Sequence, residues 1–270
     1  MRRIAILIVG LLAAFSAFGQ APAKGRGAAG ATGASGAAAA TPGPKAKSKA
    51  EAEAVVAMTK ATDADAQIAA AENLITNFPT SDFKGTALLI EAEAYHTKRD
   101  DTKALAMAEQ SYDADEKNFE TDLLLAEIYS NTTKATDLDM TDKLDKSDKY
   151  AKEALDLLAS ANKPSSGMSD SDWNQGKKGE EARGWAALGF SAVLRKNFDD
   201  AKTDFQKSVD LAVNPLTMLY IDRAYLAAKR YDDAIAWTDK ALAAASGNAQ
   251  IAQYANSDKA RAQALQKAQK

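Results

Sequence analysis

The chain contains no cysteine and a single histidine, His96, among its 270 residues. Disulfides, thiolate nucleophiles and cysteine metal sites are therefore excluded, and any folded part must hold by packing alone. A serine–histidine–carboxylate triad would depend on that one imidazole. No G-x-S-x-G elbow, G-x-x-x-x-G-K-[ST] phosphate loop or G-x-G-x-x-G turn accompanies it. No metal or cofactor is implied, and His96 reads as a surface or groove residue. Alternating strand patterns are also missing. One long apolar run exists, residues 4–18, preceded by Arg2-Arg3 and followed by Ala17-Phe18-Gly19. At about 15 residues it is short of the roughly 20 that span a bilayer, and the flanks are those of a secretory signal peptide. Residues 1–19 are expected to direct export, leaving a periplasmic or secreted chain without a stable membrane span. A retained leader acting as an anchor is the alternative.

Residues 20–50 lack aromatic residues, leucine, isoleucine, valine and acidic residues, but contain Pro22, Pro42 and Pro44 with many alanines and glycines. Such a segment has little to bury against the entropy of ordering and reads as a disordered linker. Five basic residues (Lys24, Arg26, Lys45, Lys47, Lys49) lie in it. Setting these and Arg2 and Arg3 aside, the 34 basic residues fall to 27 against 37 acidic ones, a net of −10 for residues 51–270. A body so charged is not expected to bind nucleic acid.

From about Lys49 the apolar spacing becomes helical. Breaks at Asn77-Phe78-Pro79, Arg99-Asp100, Asn162-Lys163-Pro164 and Gly247 divide it into paired segments. Trp185-x2-Leu188-Gly189-x2-Ala192, then Ala201-x3-Phe205, is the most telling stretch. Tyr231-Asp232-Asp233-Ala234 repeats Phe198-Asp199-Asp200-Ala201, and Ala126-x2-Tyr129 repeats Ala92-x2-Tyr95, at offsets of 33 and 34. These residues resemble the tetratricopeptide repeat family, W-x2-L-G-x2-Y…A-x3-F, with Ala192 where tyrosine is usual. The resemblance implies an all-α, right-handed α-solenoid of about five antiparallel helix hairpins over residues 51–270, plus a C-terminal capping helix. It is clearest at 82–131 and 178–245, with insertions at 132–140 and 161–177. Ala92, Ala104, Ala126, Gly189, Ala201 and Ala234 are small where helices cross, while Tyr95, Tyr129, Trp185, Leu188, Phe205 and Tyr225 fill the space between. The helix after Ser169 is long, and Gly176, Gly179 and Gly184 leave open a kink or a two-part helix.

The resemblance further implies a concave groove lined by the first helix of each hairpin, and a non-catalytic scaffold for a protein or peptide partner in the bacterial envelope. The expected lining is Leu89, Glu93 and His96, then Leu123, Glu127, Ser130 and Asn131. In the C-terminal part it is Arg183, Phe190, Val193 and Leu194, then Leu219, Arg223 and Leu226. The second set suits an extended peptide with apolar anchors and an acidic group. Burial between helices is the competing expectation for Val193 and Leu226. Two other readings stay open: a small-ligand binder or enzyme using the irregular 164–184 segment around Trp173, and a structural subunit that self-associates. Asp137-Leu138-Asp139-Met140-Thr141 resembles a phosphatase D-x-D-x-T, but no apolar strand precedes it, so it reads as a solvated loop.

Overall fold

The computed structural model describes residues 43–163 and 167–268; the expected signal peptide and most of the expected linker lie outside them. Among the described residues there are eleven α-helices and no strand. They pair as α1 (Lys49–Lys60) with α2 (Ala64–Asn77), α3 (Lys84–Thr97) with α4 (Asp101–Ala114), and α5 (Phe119–Thr132) with α6 (Met140–Ser160). Then come α7 (Asp170–Leu194) with α8 (Phe198–Leu211), α9 (Pro215–Ala227) with α10 (Tyr231–Ala244), and α11 (Ala249–Ala268). This is an α-solenoid of five hairpins closed by one further helix. No helix among the described residues is long and apolar enough to cross a membrane.

Local chemistry sets the boundaries. Ser48, Asp63, Asp100, Asn118, Ser169 and Asn214 each accept a backbone N–H of the first helical turn, the N-cap bond that satisfies an otherwise orphaned donor. Pro215 follows Asn214, where the missing N–H costs nothing. Three turns inside hairpins are built alike. Arg99, Lys196 and Lys229 adopt φ of 65°, 64° and 60°, and the next N–H returns to a carbonyl five residues back, as Asp100 to Tyr95, Asn197 to Ala192 and Arg230 to Tyr225. Glycine suits that backbone best, so each basic residue there carries roughly 1 kcal/mol of strain. The α5–α6 turn is longer. Asp137 closes it by accepting Lys134 N–H at 3.1 Å and the Lys143 ammonium at 3.2 Å, and Asp139 pairs with Lys143 at 2.9 Å. The carboxylates of the D-x-D segment are thus occupied in holding a loop.

Packing proceeds from neighbour to neighbour. Val55, Leu74 and Phe83 belong to one cluster, Leu89, Leu125, Tyr129 and Ala151 to a second, and Phe205, Ile221, Tyr225 and Trp237 to a third. Ala92, Ala104, Ala126 and Ala201 are fully buried at the crossings, and Ala234 nearly so. Tyr95 and Trp185 are only partly buried. Segment 43–48, expected to belong to the linker, is tied to the fold: Lys47 pairs with Asp82 at 2.8 Å and also donates to the Thr80 carbonyl. The long α7 runs unbroken through Gly176, Gly179 and Gly184. Trp173 is buried at its start, 7% exposed.

Of the described glycines, Gly189 has the least room for a side chain. A Cβ there would lie 2.5 Å from the ring of Phe205, which is fully buried and packed edge-on against Phe190, Tyr225 and Trp237. A Cβ on Gly179 would meet nothing within 4 Å. The two Gly→Ala changes should therefore have opposite signs. Gly179→Ala gains helix propensity, about 0.5–1 kcal/mol, while Gly189→Ala overpacks the crossing at a net cost of about 1–2 kcal/mol. Urea unfolding followed by far-UV circular dichroism reads both.

Candidate functional site

The first helices α3, α5, α7 and α9 line one groove of about 1020 Å³. His96, Arg99 and Asp101 form one end at the α3–α4 turn. Glu127, Ser130 and Asn131 of α5, and Glu180, Arg183 and Phe190 of α7, form the middle. Asn214, Leu216, Tyr220 and Arg223 form the other end.

The structure thus brings together His96, Glu127, Asn131, Arg183, Phe190 and Arg223 of the expected lining. It does not bring Leu89 or Leu219 to the surface. Leu89 is 2% exposed within the core shared with Leu125 and Tyr129, and Leu219 is fully buried beside Val193 and Ile221. Leu123 is likewise fully buried, and its Cδ2 would lie 3.5 Å from a Cβ on Gly184. The physical reason is common to the three. In each of these three stripes the leucine fills the gap to the neighbouring helices, and what reaches the groove is polar. Val193 and Leu226 are buried as well, at 5% and 8% exposed. Glu93 is half-buried and does not line the groove.

The expected lining omits Leu216 and Tyr220. They are 38% and 45% exposed, and Val213 just before them is 70% exposed. With Arg223 they form an i, i+4, i+7 stripe of α9, the only spacing needed to see it. The expected stripe, Leu219–Arg223–Leu226, has the same spacing and shares Arg223, but its two leucines turn into the core. Phe190, half-buried, supplies the apolar wall from α7.

Charge in the groove is largely paired. Arg183 donates through Nε and Nη2 to the two oxygens of Glu127 at 2.8 Å each, and through Nη1 to Glu180 at 2.5 Å. Burial alone would lower its pKa, but the two glutamates outweigh that and hold it well above the ordinary value. Arg223 Nε donates to Asp258 of α11 at 2.8 Å, with the Tyr254 ring beneath at 5.9 Å. His96 Nδ1 lies 2.7 Å from Asp101 Oδ1. Both arginines expected to receive an acidic ligand group thus already hold carboxylates. Among the described residues no cluster of three or more potential metal ligands occurs.

No protein-family model matches the sequence, and comparison with curated proteins finds none similar. Solved structures do match. The crystal structure of TTC0263, a thermophilic TPR protein of Thermus thermophilus, aligns with a TM-score of 0.52 and 17% identity, over 72% of this chain and 90% of that one. A chain of the APC/C hetero-tetramer Cut9–Hcn1 aligns with a TM-score of 0.51 and 16% identity, over 72% of this chain but 33% of that one. The fold is therefore a tetratricopeptide-type solenoid.

Proposed function

We propose that the chain is an exported, non-catalytic scaffold of the cell envelope that holds an extended peptide segment of a partner protein in the groove. The observation that carries this reading is the apolar set Phe190, Leu216 and Tyr220, left exposed or half-exposed inside a groove of about 1020 Å³ otherwise lined by polar side chains and small residues. Aromatic residues ringed by polar groups are the usual anchors of protein recognition. The arginines shape this groove through their own ion pairs, so the recognised feature is an apolar side chain. At Arg183 an acidic one would have to displace the two glutamates.

A peptide array covering the envelope proteins of the source bacterium, probed with the purified chain, tests this. Extended peptides bearing a bulky apolar residue should bind, and Tyr220→Ala should weaken them tenfold or more. Leu138→Ala, at a fully exposed loop residue outside the groove, should leave them unchanged. Equal loss in both variants, or no loss in either, would refute groove binding. Export is tested separately by fusing residues 1–50 to a reporter active only outside the cytoplasm.

A further inference from the structure

The last hairpin keeps the repeat frame but changes its chemistry. Met218-x3-Asp222-x2-Tyr225 sets Asp222 in the place held by Ala92, Ala126 and Gly189 in the other hairpins. There, where α9 crosses α10, Asp222 is 1% exposed. Thr238 Oγ1 of α10 lies 3.0 Å from Asp222 Oδ2 and 2.8 Å from the Ala234 carbonyl. A hydroxyl carries one proton, and a carbonyl oxygen can only accept. Thr238 can therefore donate to only one of the two: it serves an ionised Asp222 at the expense of the Ala234 carbonyl, whereas a protonated Asp222 donates to Thr238 and leaves the bond to Ala234 intact. The second oxygen, Oδ1, is buried without a hydrogen-bond partner.

Only Arg223 offers an ionised Asp222 a positive charge, and it compensates in part. From α11 the facing group is another carboxylate, Asp258, and on α9 itself Arg223 has its Nε committed to that same Asp258. From α10 Thr238 faces it, while Asp239 of that helix is paired with Lys259 of α11 at 2.5 Å. α7 adds Ala192 and Val193 to the same core, which carry no charge. Burial, reinforced by Asp258 and opposed by Thr238 and Arg223, pushes the carboxyl up to about 7.

We propose that Asp222 is a proton-operated latch within the last hairpin, at its junction with the closing helix. With the proton on, it joins α9 to α10 through Thr238. With the proton off, a buried carboxylate faces Asp258 and the α9–α10–α11 junction loosens. Because α9 also carries Leu216, Tyr220 and Arg223, loosening it alters one end of the groove, and any ligand held there becomes linked to the same proton. The latch itself requires only the fold.

Hydrogen exchange on the full chain tests it, read as protection relative to the intrinsic rate at each pH. Between pH 6 and pH 8.5, protection within residues 215–268 should fall at least tenfold in the wild type. Amides of α1 and α2 serve as the internal reference. Asp222→Asn keeps the shape and can donate to Thr238 without titrating, so its protection should be flat over that range. Asp222→Ala, the residue type of the other hairpins, should be flat as well and guards against a local defect of the first variant. The latch is overturned by a flat wild type, or by a fall that persists in both variants.

Discussion

Arg183→Ala should destabilise the protein by about 3 kcal/mol at neutral pH, far beyond the ±0.5 kcal/mol typical of a surface residue. The cause is what the substitution leaves behind. Arg183 bonds both oxygens of Glu127 on α5 and one of Glu180 on its own helix, and all three side chains are only 19–23% exposed. Removing the guanidinium takes away the cation that two partly buried carboxylates share. Part of the cost should therefore return when Glu127 is neutralised: Arg183→Ala with Glu127→Gln should be more stable than Arg183→Ala alone. A double-mutant cycle by urea unfolding separates this clamp from an arginine kept for a ligand. A ligand-binding arginine would cost little in the free protein and show no coupling to Glu127.

Much of the fold is legible in residue spacing alone. Helix pairs stand out because the small crossing residues, the caps and the breaks coincide at one period, each a local preference agreeing with the global arrangement. The α1 start near Lys49 and the break at Asn77-Phe78-Pro79, where α2 ends, are examples. The groove is legible only in part. Spacing identifies which residues share a helix stripe, but not how far the helix is rotated against its neighbours, and Leu219 and Tyr220 differ by one position. Ion pairs are invisible for another reason. Arg183 and Glu127 lie 56 residues apart, and Arg223 and Asp258 35 apart, on different helices. The carboxylates at Asp122 and Asp222 do leave a signal. Both fall on frame positions that carry small or apolar residues elsewhere, and such departures mark places where stability yields to another requirement.

Asp122 yields the second large effect, in the opposite direction. It stands four residues before Ala126, where the other hairpins have Leu88, Trp185 and Met218. It is fully buried on α5, and neither of its oxygens has a hydrogen-bond partner. Burial, with Glu153 adding and Lys149 opposing, pushes its carboxyl up to about 7. An unfolded aspartate titrates near 4. Between those two values the native chain binds a proton that the unfolded chain does not. The associated stability is therefore full below about pH 4 and is lost as pH rises through 7. Asp122→Asn has nearly the same shape and no proton to lose. It should match the wild type near pH 4 and exceed it by about 3 kcal/mol at pH 8, since raising a carboxyl from near 4 to about 7 corresponds to about 4 kcal/mol before local relaxation. Taking the difference between variant and wild type at each pH cancels every group the two share, so the curve reports Asp122 alone. A difference that is constant with pH would mean that the carboxylate is solvated in the native chain. Asp222 lies in another hairpin, so Asp122→Asn and Asp222→Asn should add. The doubly substituted chain should lose less stability between pH 5 and 8 than either single variant.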